Sequence, residues 1–146
     1  MTSTRIDSGT ENTFVLVFEP GEEVAGGLLR FAADQRLAGA HLTAIGAFER
    51  VTLGFFEPQR KDYKNIRIDE QVELLSLVGN IARDPKGEPK LHAHVVVGKA
   101  DGTAHGGHLL DAHVRPTLEV VLVESARHLC RTTRPELGAA LLELGT

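Results

Sequence analysis

The chain has 146 residues, 42% of them hydrophobic and 25% charged, with a formal net charge of −4. That length and mix suit one soluble globular domain over residues 1–146 with a proper core, and the acidic balance argues against a mainly electrostatic grip on nucleic acid. A single cysteine, Cys130, excludes an internal disulfide and a cysteine-rich zinc ribbon, so any transition metal would have to be held by imidazole and carboxylate.

Residues 1–12 are polar and read as a flexible N-terminus. Thr13 to Phe18 follow as a β-branched and aromatic strand, far too short to span a bilayer. Nothing basic precedes this run in the manner of a signal peptide, so a cytoplasmic protein without a membrane partner is expected. Glu19-Pro20-Gly21-Glu22-Glu23 ends the strand, and Val24, Leu28, Phe31, Ala32 and Gln35 then fall near helical spacing. With acidic residues in its first turn and Gly39 just beyond its end, this segment predicts a helix from Glu22 to Arg36. Gly26-Gly27 costs that helix about 1 kcal/mol per glycine relative to alanine, which points to close packing on a sheet.

From Ala40 onward the texture becomes that of strands: Leu42 to Ile45, Arg50 to Phe56, Val72 to Val78, Leu91 to Val97, Thr103 to Leu110 and Leu118 to Val123. Arg83 to Lys90, rich in Pro, Gly and charge, reads as a loop. Pro135-Glu136 predicts the start of a short terminal helix carrying Leu137, Leu141, Leu142 and Leu144.

The histidines gain meaning from one turn. Ala100-Asp101-Gly102 suits a three-residue hairpin loop closed by a left-handed glycine. With Lys99 facing Thr103, His94 lies opposite His108, and His92, two residues along, points to the same face. The reverse face then carries Leu91, Val95, Val97 and Leu109, the apolar set a core requires. Cross-strand neighbours stand about 4.5–5.5 Å apart at Cβ, so three imidazoles can reach one ion at about 2.0–2.1 Å and leave a fourth position for water or substrate. Imidazole suits zinc, nickel, copper and iron alike. A His-x-His pair alone is often only a polar outer face, and His108 in compatible register is what favours a divalent metal. Gly106-Gly107 beside it fits a bulge or a close backbone approach. His105 falls on the other face, and His41, His113 and His128 show no partner pattern. Glu119 is a candidate fourth ligand or acid/base group, against the plainer reading of an exposed strand carboxylate, and Arg115 is a candidate for holding an anionic ligand.

The segment Leu91-His-Ala-His-Val-Val-Val-Gly-Lys-Ala-Asp-Gly-Thr-Ala-His-Gly-Gly-His-Leu-Leu110 resembles the core signature of the plant- and prokaryote-conserved (PPC) domain. Ala44 to Phe56, Val72 to Ile81 and Thr117 to Leu122 resemble further stretches of that family in order and spacing, so the likeness runs from Phe14 to Leu144. It implies an α+β fold with a mostly antiparallel sheet, one main helix packed on it, and commonly assembly as a homotrimer; the short C-terminal helix is read from the residues themselves. Plant members add DNA-binding AT-hooks, which need an Arg-Gly-Arg-Pro-like segment to enter the minor groove; none is present, and Arg5 is the single base of the N-terminus. More distantly, His-x-His followed by a later His is similar to the zinc arrangement of acetolactate decarboxylase and a related zinc-dependent ester hydrolase, whose extra catalytic acids find no counterpart here.

Two functions from different classes follow. One is a trimeric PPC-domain protein whose His92, His94 and His108 hold a divalent metal such as zinc, serving as a binding or regulatory module for a small ligand. The other is a metal-dependent hydrolase or lyase acting on a small carbonyl metabolite. Direct DNA binding ranks below both on charge.

Overall fold

The computed structural model describes residues 1–5, 12–125 and 129–143. In chain order the elements are β1 (Thr2–Arg5), β2 (Thr13–Phe18), α1 (Val24–Asp34), β3 (Gly39–Glu57), β4 (Asp62–Ile68), β5 (Val72–Arg83), β6 (Pro89–Gly98), β7 (Ala104–Glu124), β8 (Cys130–Arg134) and β9 (Ala139–Glu143). Strand alternation does most of the sorting: in β2, Phe14, Leu16 and Phe18 are buried while their neighbours are partly open.

Two long strands organise the sheet. β3 pairs with β7 along one edge and with β5 and then β4 along the other. β7 in turn gives its second edge to β2 near one end and to β6 near the other. Because β6 also pairs with β5, strands β7, β3, β5 and β6 close into a ring, and no member of it keeps a fully open edge. All these pairings are antiparallel; among the described residues the one parallel contact joins β5 to β8 at Arg83 and Cys130. The fold is α+β, with one helix on a mostly antiparallel sheet.

Helix α1 packs against β6 and β7 and buries Val24, Leu28, Phe31 and Ala32, the spacing seen in the sequence. Its start is set by Glu23, the N-cap, whose carboxylate accepts from the backbone N–H of Ala25 at 2.8 Å and Gly26 at 2.6 Å. Gly27 is a packing glycine: a Cβ there would run into the ring of Phe18. The helix is left through Arg36 in the left-handed region, φ 55°, whereas Gly39 already begins β3.

The structure corrects three expectations and adds one strand. Thr2–Arg5 are not loose: they pair with β2, whose outer edge would otherwise lack hydrogen-bond partners. Residues 6–11 of the expected flexible N-terminus lie outside the described residues, as do His128 and Leu144. The separate strands expected at Leu42 to Ile45 and Arg50 to Phe56 are halves of β3, and those at Thr103 to Leu110 and Leu118 to Val123 are parts of β7. β4 escaped the sequence because Asp62–Ile68 lies largely exposed and carries no apolar alternation. No helix forms after Pro135: Pro135-Glu136 sits in a tight turn, Gly138 takes φ 69°, and the chain doubles back as β9 on β8. Leu137, Leu141 and Leu142 stay largely exposed, so the buried face that would hold a helix there is missing. None of the helices among the described residues is long and apolar enough to cross a membrane.

Candidate metal centre

The β6–β7 hairpin has the expected register, with His94 opposite His108, Val97 opposite His105 and Gly98 opposite Ala104. Lys99 donates its N–H to Thr103 O, Gly102 donates to Lys99 O, and Gly102 takes φ 82°, which a residue with a Cβ adopts only under strain. Asp101 pins the turn by accepting from the Thr103 backbone N–H at 2.9 Å and hydroxyl at 2.6 Å. Ala93, Val95, Val97 and Leu109 are buried on the reverse face, and Leu91 is partly buried beside them.

On the other face the three imidazoles converge. His92 and His94 lie 5.1 Å apart by ring centroid, His92 and His108 5.1 Å, and His94 and His108 5.4 Å. Each ring offers a nitrogen, and these ligand atoms all lie within 4.8 Å of one another. His92 Nε2 and His94 Nε2 are 3.2 Å apart. Two nitrogens on one tetrahedral ion at about 2.0–2.1 Å would stand about 3.3 Å apart, the spacing that His92 and His94 already have, and His108 stands close enough to complete the set. His108 Nδ1 is buried and has no hydrogen-bond partner. Burial first, then the neighbouring His92, His94 and Arg131, hold His108 well below the ordinary imidazole range, at about 4. His92 is lowered for similar reasons, burial first and Arg131 next. Neutral rings are what a cation needs from histidine.

Four residues that sequence reasoning passed over build the surroundings. Gly54 pairs with His108 across β3 and β7, and a Cβ on it would stand 2.7 Å from Tyr63 Cδ1. The bare backbone lets Tyr63 of β4 lie over His108, ring centroids 4.6 Å apart and planes inclined by 26°. An isolated glycine within an apolar strand is a sequence signal for such an approach. Gly107 likewise comes close to β3, a Cβ there standing 2.9 Å from Gly54 O, while the bulge falls beyond it, between the Leu53–Leu109 and Thr52–Asp111 pairs. Asn80, opposite His92, accepts from Arg131 Nη2 at 2.7 Å, and Arg131 Nη1 donates to Ala140 O at 2.8 Å. No local pattern marks Arg131, because the β8–β9 hairpin brings it in from far along the chain.

His92, His108, Tyr63, Phe56, Leu141 and Arg131 belong to the wall of one groove of about 890 Å³, within the size range of small-molecule sites. Glu119 and Arg115 do not line it. Glu119 is exposed far along β7, opposite Ile45 and Val17, and Arg115 is exposed between them and the cluster. His41 and His105 are exposed outside the cluster, and His113 turns to Gly21 O and Asp111, each at 3.4 Å.

Fold and site together define an α+β protein bearing a three-histidine candidate metal centre on a groove. The profile of the Plants and Prokaryotes Conserved (PCC) domain matches residues 6–126, and the chain belongs to that family, the one its hairpin resembles. It is 31% identical over 141 residues to the bifunctional protein GlmU of Synechococcus sp. strain JA-3-3Ab; the match takes in 95% of this chain and 21% of that protein, so the chain spans about a fifth of its length. A metal-containing protein from Archaeoglobus fulgidus superposes with TM-score 0.82 at 30% identity, covering 90% of this chain and 93% of the other. A structure described as a putative DNA-binding protein from Bacteroides thetaiotaomicron gives TM-score 0.85 at 28% identity over 97% and 96% of the two chains. The α-acetolactate decarboxylase of Bacillus subtilis, at TM-score 0.54 and 14% identity over 87% of this chain and 58% of that one, shares the fold alone.

Proposed function

We propose that this chain is a cytoplasmic metal-binding PPC protein that holds one zinc ion on His92, His94 and His108 and offers it to a small ligand, as a binding or regulatory module. One observation carries the reading: three imidazoles whose ligand atoms lie within 4.8 Å of one another. Three protein ligands would leave such an ion a further position for a small ligand, beside the groove that His92 and His108 line. The metal-containing Archaeoglobus relative supports it. Elemental analysis of untagged protein tests it: one metal per chain is expected, falling to none in the His92→Ala/His94→Ala double variant. Metal-free wild-type protein after growth and dialysis with zinc would sink the idea.

A homotrimer is part of the proposal. Val78 and Val121 flank Thr43 on neighbouring strands, and Val78 is in turn paired with His94. With Ile45 60% exposed, Val78 58% and Val121 44%, the sheet presents an apolar strip that a second copy of the chain could cover.

A second reading, a metal-dependent hydrolase or lyase for a small carbonyl compound, is favoured by the groove in which His92 and His108 meet Tyr63 and Arg131. Bound zinc would supply Lewis-acid polarisation or an activated water there. Zinc-dependent turnover that vanishes in the double variant is the expected sign. Direct DNA binding ranks last, since the chain carries net charge −4. A retarded DNA complex at low salt would reverse that ranking.

A further inference from the structure

Arg131 presents a physical problem that the three-histidine centre does not solve. It is only 5% exposed, and among the described residues no carboxylate lies within ion-pair distance of it. Its Nη1 and Nη2 have the neutral acceptors Ala140 O and Asn80 Oδ1, and its Nε, buried, has none. A buried guanidinium that lacks a counter-ion is costly unless something negative completes it. Arg131 nonetheless forms part of the groove wall with His92 and His108, and it stands near enough to both to disfavour their protonation.

The groove's charge points the same way. Lys86 and Lys90 line it with Arg131, while Asp84 is the one carboxylate among its described lining residues. Asp84 is already engaged by the backbone N–H of Lys86 at 2.9 Å and of Glu88 at 3.0 Å, and by Lys90 Nζ at 3.5 Å. An electropositive groove in a chain of net charge −4 is therefore a local construction. Phe56, Leu91 and Leu141 supply apolar wall beside it, which suits an organic anion with a hydrocarbon body better than an inorganic one.

We infer that Arg131 is the anion-recognition residue of this groove and that the small ligand at the three-histidine centre is an organic carboxylate. The inference rests on the metal reading for the ligand's position beside the histidines, and on Arg131 alone for its charge. A guanidinium can present paired N–H groups to a carboxylate, which lysine cannot match.

Pyruvate, acetate and inorganic phosphate, titrated calorimetrically into zinc-loaded and chelator-stripped full-length protein, test the inference. Tyr63 is the single tyrosine and there is no tryptophan, so tyrosine fluorescence reports on the groove directly. Pyruvate is expected to bind, to change that fluorescence, and to bind at least about 30-fold more weakly to Arg131→Lys and Arg131→Met proteins that remain folded by circular dichroism. Should both variants unfold, the Nε–H resonance of Arg131 in wild-type protein decides, because carboxylate binding must move it. Stoichiometric zinc with no pyruvate response, or a response that survives Arg131→Met, overturns the inference and leaves the metal reading standing. Phosphate bound in preference to pyruvate also overturns it. An Arg131-dependent pyruvate response in protein that takes up no zinc upholds the anion site and removes the metal.

Discussion

His108 is the residue on which most of the site depends. It faces His94 across one strand pair and Gly54 across another, lies under Tyr63, and is kept neutral by burial. Its folded pKa of about 4 lies below the ordinary imidazole value of 6.5, so between those values the unfolded chain binds more protons than the folded one. Stability from this group is therefore fully present above about pH 6.5 and is lost as pH falls toward 4. Urea midpoints of metal-stripped protein should fall from pH 7 to pH 5, and the fall should be smaller in a His108→Gln variant. Equal slopes in the two proteins would remove the linkage. Because His108 is already neutral at pH 7, its coordination of zinc there should release almost no proton, which calorimetry in buffers of different ionisation enthalpy can measure.

At the scale of elements, the β6–β7 hairpin was legible because a turn and an alternation agree. Gly102 closes the loop in the left-handed region, and Gly102→Ala should lower stability by about 1–2 kcal/mol while leaving zinc stoichiometry intact. Thermal melts with metal analysis check both halves of that expectation. Gly54 tests another link: Gly54→Val would push Tyr63 off His108, weakening zinc binding without touching a ligand. A variant that melts as wild type and binds zinc equally well would show the stacking to be incidental. The end of the chain was misread because Pro135-Glu136 can open a helix or a turn, and the choice fell to β8, which offers β9 a hydrogen-bonding edge.

For the whole molecule, the ring of β7, β3, β5 and β6 makes the core shared rather than local. Leu77, fully buried on β5, is part of it, and Leu77→Ala should cost about 2–5 kcal/mol in denaturant unfolding. Light scattering tests the outer face: Val78→Glu with Val121→Glu should convert the proposed trimer to monomer and leave the fold intact by circular dichroism. A wild-type protein that is already monomeric at working concentration would overturn the assembly.

The sequence by itself determined the β6–β7 register, the face shared by His92, His94 and His108, and the core on its reverse, because a hairpin is local and its turn sets every pairing that follows. It also determined the family, whose profile matches residues 6–126 and so takes in that hairpin. Only the tertiary structure decided what surrounds the histidines. Asn80 arrives on the neighbouring β5, Tyr63 on β4 from across β3, and Arg131 from the terminal hairpin, while Glu119 and Arg115, close to the cluster in sequence, are carried away along β7. Long strands separate residues that are near in the chain, and strand pairing joins residues that are far apart in it. No local pattern reports either effect.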